Sequence, residues 1–368
     1  MLVLARRWGT TAIPAAAQRR AFATEVIVER VAMADPGDVA PLLAWWTAAD
    51  KPTVRAILGK TEGNGCVNDF SRGYASKAIK DALPRSTHPA VVISGGTEGV
   101  LTPHFNVFAT REVVDPPTNQ STKRYLSLGV ARTRAFLPEE IGTRAQAEAT
   151  AEAVAEACAD AGLAPSEADY VQVKCPLLTS DRVNAQCLTS DTYESMSLSR
   201  AASAEGVILA TEGDTNGASD EEPPRYSSVA ATSAGVELLH SEVVVLGNAA
   251  VSGSARSARG IMRDALDLPS VVRCLERDCR LAVKDGQLEE PERILAVLVK
   301  ADPAAVVRGH RTTMLTDSDI NATRHSRAAV GGLLAGLFAD TRLFVSGGAE
   351  KQGPPGGGPF LIVYRADD

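Results

Sequence analysis

One short pattern, Ser-small-Gly-x-Glu, occurs three times in this chain: at Ser94–Glu98 (SGGTE), at Ser233–Glu237 (SAGVE) and at Ser346–Glu350 (SGGAE). Each copy is preceded by a Ser-Arg pair: Ser71-Arg72, Ser199-Arg200 and Ser326-Arg327. Each pair is preceded in turn by a lysine that ends an apolar run: Lys60, Lys174 and Lys300. The order Lys, Arg, Ser therefore recurs three times, at a period of roughly 110 to 140 residues that suits one small domain per copy. A chain that repeats polar residues in this way can build one site with three near-equivalent walls. Such a site suits a small molecule that is itself close to threefold symmetric.

Composition excludes several alternatives. The 368 residues are enough for two or three domains with substantial cores, and an apolar share of 45% fits a globular chain. A net charge of −7 and 5% aromatics leave neither the basic stripe nor the stacking platform that nucleic acid requires. No apolar run approaches the ~20 residues of a membrane-spanning helix. The six cysteines lack CxxC pairing and partner histidines at zinc spacing, so they read as reduced thiols of an intracellular protein.

The first 24 residues differ in kind. They carry Arg6, Arg7, Arg19 and Arg20 and no acid, the first carboxylate being Glu25. That composition matches a mitochondrial transit peptide, with a cytoplasmic enzyme expected if the segment carries no address.

After this leader the pattern divides into repeat units at 25–114, 122–254 and 255–368, with the Pro-rich stretch Asp115–Thr122 as the first linker. Strands are expected at Glu25–Met33, Val54–Leu58, Ala90–Ile93 and Val107–Val114. In the second unit they fall at Tyr125–Arg132, Tyr170–Val173 and Val243–Leu246, and in the third at Ile294–Val299 and Leu343–Val345. Helices are expected at Pro41–Ala48, Ala75–Leu83, Arg144–Ala161, Ser199–Ala210, Leu268–Cys279 and Ser326–Phe338. Gly331, Gly332 and Gly336 on the last helix suggest close packing, and Gly213–Tyr226 reads as an exposed loop. Each unit is thus an α+β or α/β sandwich with helices on one side of its strands.

The repeated residues suggest a chemistry. Three arginines offer planar donors to carbonyl oxygens, and three Ser-Gly turns offer hydroxyls and backbone N–H groups. A serine beside a lysine becomes a nucleophile when the amine is neutral, a state that burial and neighbouring arginine charge both favour. Repetition alone does not say which of the three pairs reacts. Glu98, Glu237 and Glu350 read as structural, bonding the turn backbone or the lysines. Cys66 reads as a small buried residue, and His325 as a packing residue near Arg327.

The segments Gly59–Asp69 (GKTEGNGCVND), Asp317–His325 (DSDINATRH) and Ser346–Gly358 resemble the cyanuric acid hydrolase/barbiturase family of ring-opening amidases. The resemblance covers about residues 25–368, includes all nine repeated Lys, Arg and Ser positions, and leaves the leader outside. It implies three similar β/α domains around a pseudo-threefold axis, with a central β-barrel, helices outside and the active site where the domains meet. It also implies a homotetramer. Within the family the second domain carries the chemistry, so the resemblance makes Ser233 the nucleophile and Lys174 its base. Arg72, Ser94, Gly95, Arg200, Ala234, Arg327, Ser346 and Gly347 then bind substrate with Ser233, and Lys60 and Lys300 complete the other two pairs. The implied reaction opens cyanuric acid to carboxybiuret, which loses carbon dioxide to give biuret. The alternatives are opening of barbituric acid and, in another class, non-catalytic binding of a heterocycle.

No cofactor is expected for catalysis. The C-terminal Gly-Pro loop lacks the Gly-Lys-Ser/Thr ending of a phosphate loop. In the family it holds a structural cation, which by resemblance makes Ala349, Gln352, Gly353, Pro354 and Gly357 ligands together with Asp302. Oxygen ligands suit Mg2+ or Ca2+. This chain departs from the family by carrying Asp302 where glutamate is common and by a shorter loop after it.

Overall fold

The computed structural model describes residues 24–84, 87–113, 123–213, 225–315 and 319–366. The leader other than Thr24, the linker 114–122, most of the loop after Gly213 and the Asp317-Ser318 portion of the family motif lie outside the described residues.

The first unit contains β1 (Thr24–Ala32), α1 (Ala40–Ala48), β2 (Thr53–Thr61), α2 (Phe70–Ala82), β3 (Ala90–Gly95) and β4 (His104–Glu112). The second has β5 (Tyr125–Arg132), α3 (Arg144–Ala161), β6 (Tyr170–Pro176), α4 (Thr192–Glu212), β7 (Ala230–Gly235) and β8 (Glu242–Ala249). The third begins with β9 (Ala255–Met262) and α5 (Leu268–Cys274), which runs into a π-helical turn at Leu275–Cys279. A two-residue hairpin, β10 (Val283–Lys284) with β11 (Gln287–Leu288), precedes β12 (Ile294–Ala301). A second hairpin, β13 (Val306–Val307) with β14 (His310–Arg311), precedes α6 (Ala322–Phe338), β15 (Phe344–Gly347) and β16 (Gly358–Arg365).

Each unit forms one four-stranded sheet, and the strand orders match: β1-β4-β2-β3, β5-β8-β6-β7 and β9-β16-β12-β15. In every sheet the second and third strands of the unit run parallel and the fourth pairs antiparallel with the first and second. The expected helix at Ser199–Ala210 starts earlier, at Thr192, because Asp191 caps it through the amides of Tyr193 and Glu194. Asn321 likewise starts α6 ahead of Ser326.

Period-2 alternation explains how the sheets assemble. Along β8, Val243 and Val245 pack on helices α3 and α4, while Val244 and Leu246 face the opposite way into a cluster shared by all three sheets. Along β16, Phe360, Ile362 and Tyr364 pack on the third unit's helices, and Leu361 and Val363 enter the shared cluster. Strands buried on both faces read as continuous apolar runs, as these do. The shared cluster holds strand residues only, among them Val28, Leu58, Val92, Leu128, Tyr170, Leu298 and Phe344. Each buried Leu or Phe there stabilises by roughly 1.5–3 kcal/mol. The helices therefore lie outside a central core, as expected.

Among the described residues the three sheets do not close into the expected barrel. No ladder joins one sheet to the next among the described residues, so three separate sheets face a common core through side chains. Of the helix glycines, a Cβ on Gly331 would lie 2.8 Å from Leu101, but Gly332 and Gly336 face open space and support no close packing.

Candidate active site

The same alternation positions the repeated residues. Leu58, Tyr170 and Leu298 face the shared core, and Lys60, Lys174 and Lys300 lie at the same parity at the C-terminal ends of β2, β6 and β12. Ser94, Ser233 and Ser346 follow Val92, Ala231 and Phe344 in the same way. The parallel ladders then pair each lysine with its serine: Lys60 with Ser94, Lys174 with Ser233 and Lys300 with Ser346. All six side chains are buried at one end of the central core.

The arginines arrive from helices, and each crosses to the turn of another unit. Arg72 on α2 donates to Ala234 O at 2.8 Å and to Cys66 O at 2.6 Å. Arg200 on α4 holds Glu350 through Nε and Nη2, at 2.7 and 2.5 Å. Arg327 on α6 holds Glu98 the same way, with Nε at 2.8 Å. Each glutamate takes Nε and one terminal nitrogen, which leaves the other terminal nitrogen for a ligand. Gly96 and Gly348 are required beneath these guanidiniums. Both have positive φ (94° and 74°), and a Cβ would come within 2.5 Å of Arg327 or 2.8 Å of Arg200.

One small cavity is lined by Arg72, Ser94, Gly95, Arg200, Ser233, Ala234, Arg327, Ser346 and Gly347. Every residue expected to bind substrate is brought together there. Gly65 and Met196 also line it and were not anticipated. Asp69 fixes Gly65 by accepting its amide at 2.8 Å while capping α2 through Ser71 N at 3.0 Å. Met196 lies one helical turn before Arg200, so the i, i+4 spacing was the available signal.

The three corners are not equivalent. Lys60 Nζ donates to Ser94 Oγ at 3.3 Å and Gly95 O at 2.7 Å. Lys300 Nζ donates to Ser346 Oγ at 3.3 Å, Gly347 O at 3.2 Å and Thr232 O at 2.8 Å. Lys174 Nζ turns instead to Ile93 O at 2.7 Å and Ala234 O at 3.2 Å, and Glu237 Oε1 lies 3.3 Å away. The Ser233 hydroxyl is buried without a hydrogen-bond partner. Arg72 Nε and both carboxylate oxygens of Glu237 are also buried without one. No other repeated Lys, Arg, Ser or Glu has such an atom among the described residues.

Burial drives all three lysines toward the neutral amine. Lys60 is pushed well below the ordinary lysine value by burial, then by the Arg327 charge. Lys300 is lowered to about 7 by burial and Arg200. Lys174 is lowered by burial with help from Arg72, and Glu237 opposes the shift. Burial alone would raise Glu98 and Glu350, but Arg327 and Arg200 hold both below the usual carboxylate range. Glu98 and Glu350 do bond the turn backbone, as expected, but their main partners are the arginines they clamp, and Glu237 lies in ion-pair contact with Lys174.

Residues 27–365 match the family described as amidohydrolase ring-opening protein. The chain belongs to that family. As a ring-opening amidohydrolase it is similar to the cyanuric acid amidohydrolase of Bradyrhizobium diazoefficiens, at 47% identity over 94% of this chain and 99% of that protein. The cyanuric acid amidohydrolase of Pseudomonas sp. strain ADP is 44% identical over 92% of this chain and 99% of its own length. A solved cyanuric acid hydrolase, described as an evolutionary innovation by structural concatenation, superimposes with a TM-score of 0.86 at 41% identity. It covers 94% of this chain and all of the other. The cyanuric acid hydrolase of A. caulinodans gives a TM-score of 0.83 at 40% identity with the same coverage.

In this ring-opening amidohydrolase the C-terminal loop folds against the third lysine's strand. Asp302 Oδ2 accepts Gly356 N at 3.0 Å, and burial raises its carboxyl above the usual range. No basic side chain lies within ion-pair distance of it among the described residues. Ala349 O accepts Gln352 N and Pro354 O accepts Gly357 N, both at 2.9 Å. The Gln352 side chain is committed elsewhere, accepting Thr232 N at 2.6 Å and donating to Glu350 O at 3.2 Å. Cys66 is half-buried rather than buried, and all six cysteines are free thiols. A wider surface depression of about 590 Å3, lined by Lys123, Arg124, Asp169 and Arg256 among others, contains none of the repeated residues. No helix among the described residues is long and apolar enough to cross a membrane.

Proposed function

We propose that this protein hydrolyses cyanuric acid, opening the ring to carboxybiuret, which then loses carbon dioxide to give biuret. The observation that carries the reading is the convergence of three arginines, three serines and their turns on one cavity, above three buried lysines. Cyanuric acid is planar, with three carbonyls and three N–H groups in alternation. Each arginine presents a free terminal nitrogen or edge to one carbonyl, and the Ser-Gly turns present hydroxyls to the N–H groups between.

Ser233 is the nucleophile and Lys174 its base in this proposal. Support comes from the corner itself: the Ser233 hydroxyl is unpartnered, while Ser94 and Ser346 are tied to their lysines. Ser233 Oγ attacks a ring carbonyl carbon as its proton passes to neutral Lys174. The arginines and turn amides stabilise charge on the carbonyl oxygen. The proton then goes to the departing ring nitrogen as the C–N bond breaks, and water cleaves the acyl-serine ester. Lys60 with Ser94 and Lys300 with Ser346 bind and polarise the other two sides of the ring.

The units 25–114, 122–254 and 255–368 act as three domains about a pseudo-threefold axis, a reading supported by their matching strand orders. Asp302 and the loop carbonyls of Ala349, Gln352, Gly353, Pro354 and Gly357 suit a hard cation, because Asp302 is a partly buried carboxylate with no ion pair among the described residues. Mg2+ or Ca2+ there would pin the loop without entering the reaction. The assembly is proposed to be a homotetramer, which light scattering tests, and the acid-free leader a targeting segment, which a reporter fusion tests.

The deciding experiment incubates the protein with cyanuric and barbituric acid and follows loss of ring absorbance and release of carbon dioxide. Faster turnover of cyanuric acid is expected. Preference for barbituric acid reassigns the substrate, and binding of either ring without turnover overturns the enzymatic reading.

A further inference from the structure

The glutamate of the repeated turn does two different jobs, and the difference falls at one corner. Glu98 and Glu350 neutralise arginines from neighbouring units, and Gly96 and Gly348 make room for those guanidiniums. By the same rule Glu237 should meet Arg72. It does not: Arg72 bonds two backbone carbonyls, and its nearest carboxylate is Asp69 at 3.8 Å. Gly235, the counterpart of Gly96 and Gly348, makes room for Glu237 itself, since a Cβ there would lie 2.2 Å from Glu237 Oε2. The folded-back carboxylate, only 8% exposed, has Lys174 Nζ at 3.3 Å as its one ion-pair contact among the described residues. A buried carboxylate without a hydrogen bond is costly and calls for a reason.

We propose that Glu237 is a positioning residue that completes a Ser233–Lys174–Glu237 group, orienting Lys174 and stabilising the ammonium formed when it takes the Ser233 proton. The proposal rests on the assignment of Ser233 and Lys174 made above. Its logic is that of a carboxylate that stabilises the cationic form of a general base without itself taking the proton. The Ser233 O–H bond breaks, the proton resides on Lys174 Nζ beside the Glu237 carboxylate, and it leaves again to the ring nitrogen. Glu237 remains ionised throughout. Glu98 and Glu350 act on Lys60 and Lys300 only from a distance, because both are bound to arginines, and among the described residues neither lysine has a carboxylate in ion-pair contact.

The groups facing Lys174 are Glu237 from the turn after β7, Arg72 from α2, Cys175 beside it on β6 and Lys60 across the core. Arg72 and Lys60 disfavour its charged form, Cys175 is a thiol that burial keeps protonated, and Glu237 favours the charge. Removing the Glu237 charge therefore weakens Lys174 as a base and moves its titration to lower pH.

The test compares Glu237→Gln with Glu98→Gln and Glu350→Gln across a pH series. Glu237→Gln should lower kcat by about 10- to 100-fold, shift the acid limb of kcat to lower pH and change KM less than about twofold. Glu98→Gln and Glu350→Gln should raise KM and leave the acid limb in place. Glu237→Asp should recover part of the lost kcat, and where the Gln variant does not fold, the Asp variant carries the test. An unshifted acid limb with kcat within about twofold of wild type overturns the proposal, as does an equal shift in all three Gln variants. Retained activity in Ser233→Ala instead overturns the underlying assignment of the nucleophile, so the two failures are distinguishable.

Discussion

The Ser94 and Ser346 corners and the Ser233 corner are built from one pattern yet end in different states. At the first two, lysine, serine, glutamate and arginine are all satisfied: lysine to serine, glutamate to the incoming arginine. At the third, the serine hydroxyl, one arginine nitrogen and the glutamate carboxylate are buried without hydrogen bonds, and the lysine turns away from its serine. Repetition creates a symmetric binding surface, because each copy folds by the same strand and helix rules. Departure from repetition concentrates unsatisfied polar atoms at one place, and such atoms are the ones available to a substrate.

The most severe way to break this comparison is to remove the hydroxyls one at a time. Ser233→Ala should reduce kcat by roughly 10^4-fold or more with the fold intact, whereas Ser94→Ala and Ser346→Ala should cost about 10- to 100-fold. Steady-state kinetics on the three variants checks this, and a larger loss at Ser94 or Ser346 would move the reactive corner.

Lys174→Arg comes next. It keeps the positive charge but cannot accept a proton, so turnover should fall by about 10^3-fold. Substantial residual activity would remove Lys174 from the base role.

Arg200→Lys and Arg327→Lys sharpen the binding side. Each loses a two-point grip on its glutamate and a planar donor for the ring, so KM should rise about tenfold with a smaller change in kcat. A fall in kcat at constant KM would contradict their role as walls of the site.

The smallest effect is on stability. Burial lowers Lys60 and brings Lys300 down to about 7, so for Lys300 the unfolded chain binds more protons than the native one between about pH 7 and the ordinary lysine value. Stability therefore rises with pH in that window, by at most ~1.4 kcal/mol per pH unit for this group. Urea unfolding at pH 7 and pH 9 measures the slope, and Lys300→Met should flatten it. A wild-type slope of zero would mean that native Lys300 keeps its charge.

Much of this was legible in the chain alone. The apolar runs ending in Lys60, Lys174 and Lys300 fixed buried strands with a polar residue at one end, since a period of two leaves little freedom in which face each residue takes. The capped pattern of Arg144–Ala161, closed by Gly162 in the left-handed conformation, fixed a helix to the residue. The recurrence of Lys, Arg and Ser in one order pointed to a shared site, and its arginines and serines do line one cavity, whereas Gly65 and Met196 on the same wall carried no repeat signal. Helix starts were less legible: Asp191 and Asn321 lie well before the Ser-Arg pairs, and caps act through local hydrogen bonds that the apolar pattern does not reveal.

Tertiary structure alone decided how the copies meet. Whether three sheets close into a barrel depends on edge hydrogen bonds between units, and here no strand ladder crosses that boundary among the described residues, where side chains and isolated backbone contacts such as Ser227 N to Lys351 O meet instead. Which glutamate meets which cation also lay beyond the sequence. Glu98, Glu237 and Glu350 occupy the same place in the same five-residue pattern, but their partners come from helices more than a hundred residues away or from the neighbouring strand. A repeat in sequence specifies like elements with like faces. The partner of a buried charge is set by the geometry in which those elements pack, because electrostatic and hydrogen-bond energies depend on distances that no linear spacing encodes.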